Sequence, residues 1–153
     1  MTVKEILEKD LNAAEVEGKF DVDTDRYLEF VNKTTSDAST NTGAFINRVQ
    51  ELQAYGADVP RLLTAAVGMS AEAGEFTEIV KKIIFQGKPY SEDNKEHLLI
   101  ELGDVMWYFS QACMALGVRI EDVIVTNTVK LMKRYPGEMF SVDRSENRSA
   151  DDR

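Results

Sequence analysis

Cysteine is nearly absent from this chain: Cys113 is the only one in 153 residues. No intramolecular disulfide can form, and its apolar neighbours give it the character of a small buried hydrophobe rather than a nucleophile. A reducing, cytoplasmic compartment is the expectation. Proline (3) and glycine (9) are scarce, which leaves long stretches free of helix breakers. Histidine occurs once, as His97, with Asn94 three residues before it, so the Glu-x-x-His pattern of di-iron bundles is missing. No apolar run approaches the ~20 residues of a membrane span. The opening residues Met1 to Glu5 lack the apolar core of a secretory signal. Basic residues are outnumbered, 18 Lys and Arg against 27 Asp and Glu, for a formal net charge of −9. Binding to polymeric nucleic acid depends on neutralising phosphates and is disfavoured by that balance. A small phosphorylated ligand remains compatible with it, because a divalent cation inverts the local field. No P-loop, zincin or Gly-x-Ser-x-Gly pattern is present. The run Asp21 to Asp25 starts like an EF-hand loop but has Arg26 at the glycine position and Asn32 at the bidentate glutamate position.

What the chain does have is helical periodicity. Hydrophobic residues make up 43% of it, and a domain of this length buries roughly 70% of its unfolded surface. Apolar spacing predicts a short amphipathic helix over residues 3–14, a polar break, and a second helical piece around Tyr27 to Val31. A loop by composition spans residues 34–43. Helices follow over about 45–55, stopped by Gly56, over about 61–85, from Ser91 or Asp93 to Leu116 before Gly117, and over 120–134 before Pro136. The class is all-α. The organisation is an N-terminal helical extension (1–43), a helical core (44–136) and a polar, irregular C-terminal tail (137–153).

Carboxylates three residues apart are common in so acidic a chain, and most lie on solvated helix faces. Their placement is more informative. At about 100° per residue, Leu62, Ala65, Met69, Ala73, Phe76, Val80 and Ile83 form one stripe, with Glu72 about 60° from Met69 and Glu75 about 120° away, at the stripe's edge. Glu78 falls on the far side. On the next helix Leu98, Leu102, Val105, Phe109 and Leu116 form the stripe, and Glu101 and Asp104 repeat the same two offsets from Leu98. Two successive antiparallel helices would thus bring four carboxylates to one spot. Ionised carboxylates beside apolar surface repel one another and resist desolvation unless a cation balances them. An all-oxygen, all-acidic set suits Mg²⁺, or Mn²⁺.

The segment Gly68-Met69-Ser70-Ala71-Glu72-Ala73-Gly74-Glu75, followed by Glu101-Leu102-Gly103-Asp104-Val105-Met106-Trp107-Tyr108, resembles the MazG-like all-α nucleoside triphosphate pyrophosphohydrolases of phage and bacterial type. The similarity spans roughly residues 45–148 and includes Lys130-Leu131-Met132-Lys133-Arg134-Tyr135-Pro136. The resemblance implies a four-helix-bundle-like fold. It implies Mg²⁺ held by Glu72, Glu75, Glu101 and Asp104, which are also the catalytic residues. The implied substrate is a nucleoside triphosphate, cleaved to a monophosphate and pyrophosphate. Close alternatives on the same bundle are a dUTP or dCTP diphosphatase and a phosphoribosyl-ATP pyrophosphohydrolase; a non-catalytic nucleotide- or partner-binding protein is the alternative from another class. Members often carry two adjacent glutamates at the first motif, where this chain has Ala71 before Glu72.

Substrate contacts are expected from Lys82 near the acidic edge and from Tyr108 one turn after Asp104; the resemblance implies contacts from Asn127 and Lys130 on the last helix, with Arg134 one turn further on. The helix around Trp107 is apolar nearly all round, with Leu99, Ile100 and Met114 off the main stripe. Such a helix is covered on both sides, so a homodimer or homotetramer is expected.

Overall fold

The computed structural model describes residues 23–137 and 139–147. The helix expected over residues 3–14 lies outside them. Among the described residues every regular element is helical: α1 (Thr24–Thr34), α2 (Asp37–Thr40), α3 (Thr42–Ala54), α4 (Val59–Phe85), α5 (Glu92–Leu116), α6 (Ile120–Arg134) and α7 (Val142–Glu146). The all-α class is correct. Among these residues no helix is long and apolar enough to cross a membrane.

The chain forms two compact units, Met1–Asn47 and Arg48–Arg153. In the first unit Asp23 caps α1, its carboxylate accepting from the Arg26 amide at 2.9 Å. The stretch 34–43, a loop by composition, holds α2 and the start of α3. Its polar residues act as helix starters: Ser36 stands extended at the head of α2, and the Asn41 side chain accepts from the Ala44 amide at 3.0 Å.

In the second unit the punctuation follows the sequence. Gly56, at φ 87°, ends α3 as the Ala57 amide donates back to the Leu52 carbonyl at 3.0 Å. Asp58 caps α4 with Pro60 in its first turn, Ser91 caps α5, and Gly117, at φ 65°, closes α5. The tail is not wholly irregular: α7 forms behind Ser141, whose hydroxyl accepts from the Arg144 amide.

Helices α4 and α5 form an antiparallel hairpin, the one extensively packed helix pair among the described residues. Arg61 at the start of α4 reaches Gln111 late in α5, donating to its Oε1 at 3.1 Å, while the same guanidinium pairs with Asp58 at 3.1 Å. The interior is thin. Among the described residues Val59, Ala65, Ile79 and Cys113 are the buried hydrophobics, and no large side chain is fully enclosed.

The interior largely follows the expected stripes: Leu62, Ala65, Met69, Phe76, Val80 and Ile83 of α4 and Leu98, Val105 and Phe109 of α5 are buried or half-buried. Leu102, Leu116 and Ala73, read as core, are exposed, as is Trp107. The hairpin closes along Ala65, Gly68, Glu72 and Ile79 of α4 and along Leu98, Glu101, Val105 and Ala112 of α5, which are buried or half-buried. Ala65 and Gly68 allow close backbone approach there. Glu72 and Glu101 therefore sit within the helix–helix seam, while Glu75 and Asp104 stand exposed at its edge.

Candidate metal centre

Glu72 from α4 and Glu101 and Asp104 from α5 each offer a carboxylate oxygen, and these oxygens all lie within 4.8 Å of one another. Helical periodicity makes this possible, since residues three apart share a face, and the antiparallel crossing brings Glu72 opposite the Glu101–Asp104 pair. The three differ in setting: Glu101 is 5% exposed, Glu72 half-buried and Asp104 exposed. Glu101 is the one buried charged residue among those described.

Glu72 registers the crowding. Partial desolvation first, then the charges of Glu75, Asp104 and Glu101 in that order, push its carboxyl above the ordinary carboxylate range. Glu75, one turn beyond Glu72, lies outside the three-carboxylate cluster but close enough for its charge to be felt.

A cleft of about 290 Å³ opens beside the cluster, lined by Glu75, Glu78, Lys82, Lys88, His97 and Glu101 together with Ala71, Gly74 and Ile79. Lys82 is there as expected, with its ammonium 3.3 Å from Glu78. Glu78 was expected to face away. It stays out of the carboxylate cluster yet lines this cleft, and its pairing with Lys81 and Lys82 holds its carboxyl below the usual range. Lys88 is placed by the turn after α4: its amide donates back to the Lys82 carbonyl at 3.1 Å across Gly87, at φ 71°.

Tyr108 has a different immediate partner from the one expected. A Cβ built on Gly68 would land in its ring, so the tyrosine lies on bare backbone of α4, and it meets Trp107 edge-on with centroids 4.8 Å apart. Asn127, Lys130 and Arg134 all stand on α6, which has no packing against α4 or α5 comparable to theirs on each other. Asn127 is exposed and Lys130 half-buried. The Arg134 carbonyl accepts from the Arg144 guanidinium at 3.2 Å, and the Arg134 guanidinium lies over the Tyr135 ring. None of the three lines the cleft beside the carboxylates.

Two cleft residues escaped the sequence reading. His97 places Nε2 3.1 Å from Oε1 of Glu101. The four-residue spacing of His97 and Glu101 is visible in the sequence, but spacing alone does not show that the two side chains meet. Lys88 follows a glycine turn, and nothing in its spacing marks it.

The donor set fits a hard divalent cation. Every donor is a carboxylate oxygen, two come from one helix turn and one from the facing helix, and like charges this close are disfavoured until a cation balances them. An all-α hairpin carrying Glu-x-x-Glu on one arm and Glu-x-x-Asp on the other is a carboxylate-rich helical scaffold that could hold a divalent metal. Residues 62–139, just over half of the chain, match the MazG nucleotide pyrophosphohydrolase domain, and the chain belongs to that family, one of pyrophosphohydrolase-type enzymes. The match includes all four carboxylates. Among individual proteins it is similar to the Gene 37 protein of Mycobacterium phage L5, 39% identical over 69 residues, which are 44% of this chain and 60% of that protein. The chain thus spans less than two thirds of that relative's length. No solved structure matches the chain.

Proposed function

We propose that the protein is a Mg²⁺-dependent nucleoside triphosphate pyrophosphohydrolase that converts a (d)NTP to the monophosphate and pyrophosphate, in nucleotide-pool control or housecleaning. The observation that carries this reading is the convergence of Glu72, Glu101 and Asp104 within 4.8 Å in a chain of this family. When bound there, Mg²⁺ or Mn²⁺ would supply charge neutralisation for the phosphates and a lowered pKa for water. The chain's residues do the rest. Glu72, Glu101 and Asp104 hold the cation. Glu75, exposed beside the cluster and not part of it, completes the ligand set or accepts the proton of the attacking water as the bridging oxygen leaves with pyrophosphate. Lys82 offers positive charge to the phosphates from the cleft. Tyr108, Asn127, Lys130 and Arg134 complete the proposed substrate contacts.

The assembly proposed is a homodimer or a homotetramer. A hairpin without a fully enclosed large side chain leaves Leu99, Ile100, Leu102, Trp107 and Leu116 exposed along α5. A second hairpin covering that face would make a four-helix bundle and give α5 the two-sided burial its composition demands. Light scattering on the purified protein, with Trp107→Glu as the disrupting variant, tests this; a monomeric wild type would remove it.

The activity is tested with a panel of canonical and modified nucleotides, including dUTP, dCTP and phosphoribosyl-ATP, with product identification under Mg²⁺ or Mn²⁺. Monophosphate and pyrophosphate are the expected products. Absence of pyrophosphate release across the panel would overturn the reading.

A further inference from the structure

Glu101 is enclosed in the α4–α5 seam, and it has a base beside it. His97, one turn earlier on α5, places Nε2 3.1 Å from Oε1 of Glu101; the imidazole is about half exposed, at 51%, while the carboxylate is 6% exposed. Among the described residues His97 is the only base within ion-pair reach of Glu101. His97 does not join the cluster formed by Glu72, Glu101 and Asp104. It touches one ligand, from the cleft, and is not itself a ligand.

A glutamate is a poor ligand unless it is oriented. Its terminal torsion is broad and its side chain loses much rotamer freedom when fixed. A carboxylate has two oxygens and about four lone-pair sites, so one oxygen can be held by an N–H while the other stays available to a cation. An imidazole is suited to this, because in its neutral form it supplies an N–H without setting a full positive charge beside a cation site. Outer partners of this kind fix ligand orientation, and their loss weakens metal sites measurably.

We infer that His97 is the positioning residue of the site, holding Oε1 of Glu101 through Nε2–H so that the other oxygen is directed at the cation. The inference rests on the metal-site reading above. Its test is built to separate the two: Mn²⁺ affinity, measured by electron paramagnetic resonance on the full-length protein, for wild type, His97→Ala and His97→Gln, with metal-free thermal stability of all three. Wild type is expected to bind Mn²⁺. His97→Ala should weaken binding about 10- to 100-fold with metal-free stability close to wild type, since the imidazole is half exposed. His97→Gln, whose amide N–H₂ can replace the imidazole donor, should recover most of the affinity. In turnover, His97→Ala should raise the Mg²⁺ concentration needed for half-maximal rate more than it lowers the rate at saturating Mg²⁺. Equal Mn²⁺ affinity in wild type and His97→Ala would overturn the positioning role and leave the metal site intact. Glutamine failing as fully as alanine would also overturn it. No Mn²⁺ binding by wild type would remove the metal site, and this inference with it.

Discussion

The ring of Tyr108 lies on the bare backbone of Gly68, so closely that a Cβ at residue 68 would fall inside it. Gly68 is one turn before Glu72 on α4, and Tyr108 is one turn after Asp104 on α5. Because the helices run antiparallel, this contact sits directly beside the carboxylate cluster and sets the spacing of the two helices there. Gly68→Ala would ordinarily favour a helix interior by about 1 kcal/mol. Here it should destabilise the protein by about 1–3 kcal/mol, as overpacking does. It should also weaken divalent-cation binding by prising the cluster apart. Urea denaturation gives the sign directly, and a gain in stability would show that the ring moves aside freely.

Glu101 is the buried member of the cluster. Glu101→Gln keeps its shape and removes its charge, so the helical fold should survive, as circular dichroism would show. Activity should fall by more than about 100-fold, the upper end of the loss caused by removing an outer partner of a metal ligand. Turnover within a few-fold of wild type would exclude Glu101 as a ligand.

The raised pKa of Glu72 makes a prediction about the metal-free protein. A carboxyl that holds its proton more tightly folded than unfolded opposes folding as pH rises past the unfolded value, and opposes it fully above the raised folded value. At neutral pH Glu72 is therefore a small destabilising group, softened by solvent screening. In EDTA, Glu72→Gln should melt slightly above wild type at neutral pH, and the difference should vanish as pH falls through the carboxylate range. With Mg²⁺ added at neutral pH the order should reverse, because only wild type gains the cation. Thermal melts across pH, with and without Mg²⁺, check both halves.

Asp58 carries two duties at the start of α4: Oδ1 accepts from the Arg61 amide at 3.2 Å, and Oδ2 pairs with the Arg61 guanidinium that reaches Gln111. Loss of an N-cap costs about 1 kcal/mol. Asp58→Ala should cost about 1–2 kcal/mol in equilibrium denaturation, with the upper end expected because the tie to α5 is loosened as well. A neutral result would mean that neighbouring groups or water satisfy the amide unaided.

Helix existence and helix ends were legible in the sequence because they are written in local chemistry. Gly56, Ser91 and Gly117 act where their side chains, or the lack of one, dictate. The carboxylate cluster was legible for the same reason, periodicity placing Glu72 opposite Glu101 and Asp104. The seam was legible in part: Ala65, Leu98 and Val105 belong to the expected stripes and are buried or half-buried, while Leu102 and Leu116, expected beside them, are exposed. Apolar residues report which surfaces must be covered, not which partner covers them. The Ser36 and Asn41 region was misread as loop because helix-starting residues and loop residues are the same types. His97 and Lys88 depend on what lies across a cleft, and composition carries no signal for that.

The buried thiol of Cys113, at 4% exposure, has a practical consequence. As the chain's sole cysteine, lying on α5 of the packed hairpin, it is shielded from a bulky disulfide reagent until the hairpin opens. Its labelling rate is then a stopwatch for separation of the two arms. A cation clamping Glu72 to Glu101 and Asp104 should slow that stopwatch, reporting occupancy without any substrate being turned over.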